Sequence, residues 1–220
     1  MTARRASADG SRPLIAVLDY GIGNLHSAQK ALEHGGADAR LTADAGLIRE
    51  AAGVVLPGVG AFGACMDSLR SAGLEALAHE SVESGRPFLG ICVGMQMLFT
   101  KSEEDEHAAG LDLIPGTVRW IPAGPKIPQM QWNRLEFRRD DPMFAGLGDA
   151  PFVYFVHSLH GVPDDPDVVA ATVEYGTTLN AAFRSGNVFA AQFHPEKSST
   201  PGLRMLSNFV DVCATAPVGT

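Results

Sequence analysis

The feature of the sequence with the clearest chemical potential is a cysteine held between two glycines. Residues 87–98 read PFLGICVGMQML, with Cys92 at the centre and Gly90 and Gly94 on either side. An apolar run that ends at Cys92 and a second that begins there predict a strand, a tight turn and a helix. A nucleophile elbow has this arrangement, because its strained turn lifts a reactive side chain out of the sheet. A thiol at a helix N-terminus also meets unpaired N–H groups, which favour the thiolate.

A base for this thiol is available in residues 191–196, which read AQFHPE. His194 can take the thiol proton, and Glu196 can hold the imidazole in the useful tautomer. Pro195 ends strand pairing, so the backbone is free to leave the sheet there. Each segment alone has a plainer interpretation, a buried unreactive cysteine or a surface His-Pro-Glu turn. The combination of both segments favours nucleophilic catalysis.

A third segment, residues 57–60, reads PGVG and follows a buried strand. A tetrahedral intermediate needs N–H donors close to the nucleophile. Val93, at the start of the predicted helix, offers one such N–H group. Gly58 and Val59 offer candidates for the second. The alternative is an ordinary turn between a strand and a helix.

The surrounding pattern predicts how these segments meet. Apolar runs at 14–19, 37–41, 53–56 and 88–91 alternate with amphipathic helical segments, which indicates a mostly parallel α/β sheet with helices on both faces. The loops after Asp19, Leu56 and Ile91 should then lie at one edge, where the carboxyl ends of parallel strands form sites. Later apolar runs predict an antiparallel extension and a final helix, and they cover residues 152–157, 168–175, 181–184, 188–193 and 203–213.

Composition limits the classes of function. The chain has 220 residues, 45% hydrophobic, with a net charge of −8. One domain over residues 13–215, after a disordered tail at 1–12, is the simplest organisation. The acidic balance, without a basic stripe, argues against a nucleic-acid partner, and no apolar run is long enough to span a membrane. Three widely spaced cysteines fit a reducing cytosol better than a disulfide framework or a zinc site. No metal is expected.

The loop at residues 19–24, DYGIGN, is a further glycine-bearing motif. It is similar to the start of a dinucleotide fingerprint, but His26 stands where the third glycine of that motif belongs. A nucleotide site is therefore the less favoured interpretation of this loop.

Taken in order, the three segments resemble the class I, or triad, glutamine amidotransferases, which have a flavodoxin-like fold. The resemblance covers nearly all of residues 13–213. It implies that Cys92, His194 and Glu196 form a triad that hydrolyses L-glutamine through a glutamyl thioester and releases ammonia, with no cofactor. It also implies that substrate is bound by residues of three segments, namely Gln96, Glu104, Tyr154, His157 and Ser158.

Three stretches, at 19–25, 57–62 and 128–133, are similar to the branch of the family that serves histidine biosynthesis. This similarity implies a heterodimer with a separate cyclase, a TIM-barrel protein that uses the ammonia to make imidazole glycerol phosphate and AICAR. Gln129, Trp132 and Asn133 would lie at the interface with that partner. The segment at 128–133 departs from that branch at two positions: Gln129 stands where histidine is usual, and Gln131 stands where glycine is usual.

Three other functions remain open from the sequence. The chain could supply ammonia for anthranilate or GMP synthesis, although Val59 and the Trp132-Asn133 pair argue against this. A cysteine hydrolase without an ammonia acceptor would have no use for Gln96. A non-enzymatic binding module would need none of the Cys-His-Glu set.

Overall fold

The computed structural model describes residues 12–122 and 126–216 of the chain. The predicted tail at 1–12 lies outside these residues, apart from Arg12. The centre of the fold is an eight-stranded sheet with the order β2-β1-β3-β4-β14-β13-β12-β9. Its strands are β1 (Leu14–Leu18), β2 (Asp38–Thr42), β3 (Gly53–Gly58), β4 (Phe88–Cys92), β9 (Glu136–Phe137), β12 (Val169–Glu174), β13 (Thr178–Ser185) and β14 (Val188–Ala191).

Strands β2, β1, β3, β4 and β14 run parallel, and β13, β12 and β9 continue the sheet antiparallel. The order 2-1-3-4 followed by one further parallel strand is the flavodoxin-like order. Strands β1, β3, β4 and β14 are buried along almost their whole length, as expected for a sheet covered on both faces, whereas the edge strand β2 is only partly buried. The predicted fold class and antiparallel extension are both confirmed.

Six α-helices accompany the sheet in the described part of the chain. They are α1 (Leu25–Gly35), α2 (Ala45–Glu50), α3 (Phe62–Ser71), α4 (Glu75–Glu83), α5 (Val93–Gln96) and α6 (Ser199–Thr215). Helix α1 packs against α6, and α2 packs against α4. Gly73, with φ +70°, separates α3 from α4. None of the helices in the described ranges is long and apolar enough to cross a membrane.

Most of the chain between β4 and β12 forms two smaller sheets. A four-stranded sheet has the order β11-β7-β5-β6, and a two-stranded ribbon joins β10 to β8. These strands are β5 (Phe99–Ser102), β6 (Asp105–Ala109), β7 (Ile114–Trp120), β8 (Gln129–Arg134), β10 (Phe152–His157) and β11 (Leu159–Pro163). Residues 101–106 form the end of β5, a turn at 103–104 and the start of β6. Strand β5 pairs with β7 as well as with β6. No local sequence pattern predicts the pairing with β7.

Candidate active site

Cys92 ends β4 in a strained backbone conformation, with φ 55° and ψ −115°. A non-glycine residue with positive φ costs energy that the surrounding structure must offset. The flanking glycines permit the turn, since a Cβ on Gly94 would overlap the carbonyl oxygen of Leu56 and one on Gly90 would lie 2.9 Å from Met95 Cα. The predicted elbow is therefore present. Its helix α5 has only four residues, shorter than the apolar run suggests.

His194 and Glu196 follow directly after β14, the parallel neighbour of β4. Ala191 pairs with Ile91, so the chain beyond β14 passes directly beside Cys92. His194 Nδ1 lies 2.8 Å from Glu196 Oε1, and both side chains are almost fully buried. This contact directs the other ring nitrogen, Nε2, away from the carboxylate. The arrangement is that of a nucleophile, a base and an orienting carboxylate.

The protonation of His194 follows from three opposing influences. Burial alone lowers its pKa, but hydrogen bonds with Cys92 and Glu196 and the negative charges of those groups raise it to about 9. The imidazolium form is thus stabilised between two anionic partners. It can give a proton to a leaving amine near neutral pH.

Titration of His194 tests this electrostatic arrangement. The folded-state pKa lies above the ordinary value of 6.5, so the interaction stabilises the fold fully below pH 6.5 and is lost as pH rises through about 9. We expect an NMR titration of labelled histidine to give a midpoint near 9 for His194. Cys92→Ala and Glu196→Gln should each lower that midpoint, because each removes one anionic partner. A midpoint that both variants leave unchanged would contradict the assignment.

Residues 57–61 comprise the end of β3 and the turn into α3, and they lie beside Cys92; we call them the oxyanion loop. Gly58 pairs with Cys92 across β3 and β4, and a Cβ on Gly58 would lie 2.6 Å from Gly94 N. Only glycine allows the loop to approach α5 this closely. Gly60 has φ +90°, which also favours glycine. Val59 and Gly60 line the cleft beside the thiol.

An open cleft of about 340 Å³ adjoins Cys92. Its wall includes most of the residues that the sequence predicts for substrate binding, together with part of the triad and of the oxyanion loop. These lining residues are Val59, Gly60, Cys92, Val93, Gln96, Glu104, Pro128, Val156, His157, Ser158, Leu159, His194 and Lys197. The cleft has room for an amino acid, and its nucleophile lies on one side.

Comparison with known proteins agrees with this geometry. The family model for glutamine amidotransferase class-I matches residues 16–213. The chain belongs to the class I glutamine amidotransferase family. The chain is 50% identical over 206 residues to the imidazole glycerol phosphate synthase subunit HisH of Syntrophotalea carbinolica, covering 90% of this chain and all of that protein. It is 48% identical to the subunit of the same name from Synechococcus elongatus, covering 96% and 98% of the two chains.

Solved structures give the same fold at lower identity. A glutamine amidotransferase structure aligns with a TM-score of 0.72 at 22% identity, covering 90% of this amidotransferase and 98% of that chain. The structure of PurLQS from Thermotoga maritima aligns with a TM-score of 0.67 at 21% identity, covering 91% and 98% of the two chains. At these identities the likeness supports the fold and not the substrate.

Within the amidotransferase cleft, two of the predicted substrate residues are held by local hydrogen bonds. Glu104 Oε2 accepts from Phe62 N–H at 2.7 Å, which fixes the carboxylate at the start of α3. His157 Nδ1 lies 2.7 Å from the Leu159 carbonyl oxygen, and its Nε2 lies 2.8 Å from the side-chain amide of Gln129. Burial lowers the pKa of His157 to about 4, so this ring is neutral at pH 7.

Tyr154 and Gln129 lie elsewhere than their predicted roles require. The Tyr154 ring is not among the groups that line the cleft; it lies 6.0 Å, centroid to centroid, from Trp132 on the neighbouring strand. Gln129 was expected at a partner surface, but its side chain is fully buried against His157. The alternation of side chains along paired strands explains both placements. Trp132 is 46% exposed, and Asn133 donates to the Glu174 carbonyl oxygen at 2.9 Å.

Three further residues at the site were not singled out by the sequence analysis. Gln192 is fully buried, accepts from Gln96 Nε2 at 3.1 Å and places its own amide nitrogen 3.9 Å from Cys92 Sγ. Ser198 donates to the His194 carbonyl at 2.6 Å, which holds the loop that carries the base. Lys197 brings a positive charge to the wall of the cleft. All three lie close in sequence to the His-Pro-Glu segment, and this proximity is the sequence signal that could have identified them.

Proposed function

We propose that this amidotransferase hydrolyses L-glutamine at Cys92 and delivers the ammonia to a separate cyclase subunit of imidazole glycerol phosphate synthase. The observation that carries the proposal is the buried Cys92–His194–Glu196 set beside the 340 Å³ cleft. The two HisH relatives, at 50% and 48% identity, support the choice of pathway. The proposed catalytic domain covers residues 13–215.

The chemistry begins with attack of the Cys92 thiolate on the carboxamide carbon of glutamine. The carbonyl oxygen becomes an oxyanion, which N–H groups of Val93 and of the oxyanion loop stabilise. His194 gives its proton to the departing nitrogen, so ammonia leaves and a glutamyl thioester remains. His194 then takes a proton from water, which attacks the thioester and releases glutamate and the thiolate. Glu196 keeps the imidazole oriented through both steps.

The polar groups of the cleft suit the zwitterionic end of glutamine. Glu104 carries a carboxylate that can pair with the substrate ammonium, and Phe62 N–H holds that carboxylate in place. Ser158 and the neutral ring of His157 line the same wall and can bind the α-carboxylate. Gln96 lies one turn after Cys92 and can hydrogen bond with the substrate carboxamide.

The partner surface is proposed to be the outer face of the β8–β10 ribbon. Met130 is 61% exposed, Phe152 is 52% exposed and Trp132 is 46% exposed, which makes this an apolar surface near the cleft. Such patches are typical of protein interfaces. We propose that the TIM-barrel cyclase covers this face in a heterodimer, with Trp132 in contact. Asn133 and Gln129 lie on the opposite face of β8, where their hydrogen bonds hold the ribbon in place beneath the interface. A cytosolic location fits the three free cysteines.

The test is transfer of the amide nitrogen of glutamine to the product of the cyclase. The purified chain, the cyclase and phosphoribulosyl formimino-AICAR ribonucleotide are incubated with glutamine labelled at its amide nitrogen. We expect the label in imidazole glycerol phosphate, with glutamate formed in equal amount. Glutamate formation without incorporated label would indicate a stand-alone hydrolase. Absence of glutamate would contradict the proposed activity itself.

A further inference from the structure

The oxyanion loop is held at two carbonyl groups by side chains from outside it. The Tyr20 hydroxyl donates to the Pro57 carbonyl oxygen at 2.6 Å. Cys65 Sγ donates to the Val59 carbonyl oxygen at 3.2 Å. Tyr20 comes from the loop after β1 and Cys65 comes from α3, so two separate elements hydrogen bond with the oxyanion loop. Both side chains are buried.

These contacts flank one peptide unit. The Pro57 carbonyl belongs to the peptide before Gly58, and the Val59 carbonyl belongs to the peptide after Val59. The Gly58–Val59 peptide lies between them and carries the Val59 N–H. Because the backbone turns only about φ and ψ, a single peptide plane can rotate between two fixed neighbours. The contacts therefore confine movement of the loop to the one peptide that carries the donor.

Both side chains are in the protonated form that this role requires. Burial raises the pKa of the Tyr20 hydroxyl and of the Cys65 thiol, so each keeps its proton near neutral pH. Gly58 fits beneath them, since a Cβ there would lie 3.0 Å from the Tyr20 hydroxyl.

We propose that Tyr20 and Cys65 are positioning residues that fix the peptides on both sides of Gly58–Val59, so that the Val59 N–H meets the oxyanion at a defined place. The proposal rests on the glutaminase function given above. It also assigns a role to the glycine-bearing loop at residues 19–24, whose Tyr20 supports the oxyanion loop.

The test compares Tyr20→Phe, Cys65→Ala and Cys65→Ser in the complex with cyclase and its ligand. Loss of a whole oxyanion donor costs about 10²–10³ in rate, so a displaced donor is expected to cost about 10-fold in kcat. Tyr20→Phe and Cys65→Ala should show this loss with KM for glutamine unchanged. Cys65→Ser keeps a donor for the Val59 carbonyl and should restore kcat to within about 2-fold of the parent.

A second measurement separates positioning from a general effect on folding. An aldehyde analogue of glutamine adds to Cys92 and forms an oxyanion-like oxygen, whereas glutamate does not. Tyr20→Phe and Cys65→Ala should bind the aldehyde about 10-fold more weakly and glutamate equally well. Tyr20→Phe removes one hydroxyl and keeps the ring, so it decides the question if Cys65→Ala fails to fold.

Two results would overturn the positioning role. One is a rise in KM with kcat unchanged, and the other is equal loss of aldehyde and glutamate binding. A parent complex without glutaminase activity would refute the proposed function instead, before any variant is compared.

Discussion

Cys92→Ala is expected to remove glutamine hydrolysis, with a loss of about 10⁶-fold, the size seen when the nucleophile of a catalytic triad is deleted. No other group in the cleft can form the thioester, because the remaining lining residues carry no thiol. Glutamate release, followed by a coupled assay, measures the effect. Fold and cyclase binding should be retained, since the substitution removes one sulfur atom from the cleft wall. Residual activity near that of the parent would contradict the assignment.

Covalent labelling gives an independent check of the same residue. An electrophilic glutamine analogue should modify Cys92, because this thiol lies on the cleft wall. Burial raises the pKa of both other thiols, Cys65 and Cys213, so they remain protonated and unreactive at neutral pH. Mass spectrometry of peptides locates the label. Modification of Cys65 or Cys213 would refute the assignment.

Cys213→Ala is the matched control for loss of a thiol. Its sulfur packs against Gly53, at the opposite end of β3 from Gly58, and is therefore remote from the reaction. This variant should lose some stability, by about 1 kcal/mol for a small buried side chain. Its kcat should match that of the parent.

The sequence predicts the parallel sheet and the elbow because both depend on local patterns. Apolar runs of strand length alternate with helical segments, and Gly90, Cys92 and Gly94 occupy fixed places in one turn. Gly94 approaches the Leu56 carbonyl so closely that no Cβ fits there, which explains why the glycines beside Cys92 predict the elbow. The meeting of Gly58 with Cys92 follows from neighbouring parallel strands.

Contacts between distant segments could not be predicted in this way. The pairing of β5 with β7, the burial of Gln129 against His157 and the contact of Gln192 with Gln96 each join residues that no local pattern relates. The shortness of α5 could not be predicted for the same reason, because the chain leaves the helix at Met97 and β5 then joins the four-stranded sheet. Side-chain alternation on the β8–β10 ribbon became clear only once its register was known.

The second large effect expected is activation by the partner. Val59 is a β-branched residue between two glycines, and its N–H lies on the one peptide that the loop leaves free to turn. If that N–H points away from Cys92 at rest, the isolated chain lacks one oxyanion donor, which costs about 10²–10³ in rate. Ligand binding in the cyclase would favour the turned peptide through the Trp132 segment. Such a shift requires the ligand to bind one state more tightly.

Glutamate release is measured for the purified chain, for the complex, and for the complex with a cyclase ligand. We expect about 10²–10³-fold faster turnover in the last of these than in the first. Val59→Gly removes the β-branched side chain and eases rotation of the peptide, so it should raise the basal rate and narrow the ligand effect. Val59→Thr keeps the branched shape and should retain the ligand effect.

The pattern across these variants distinguishes a turning peptide from other sources of activation. If the partner acted only by closing the cleft over glutamine, its ligand would lower KM, and Val59→Gly and Val59→Thr would respond alike. A turning peptide instead changes kcat, because the donor acts on the oxyanion and leaves the bound substrate untouched. Equal turnover in all three preparations of the parent chain would refute the switch, and the oxyanion hole would then be complete in the isolated protein.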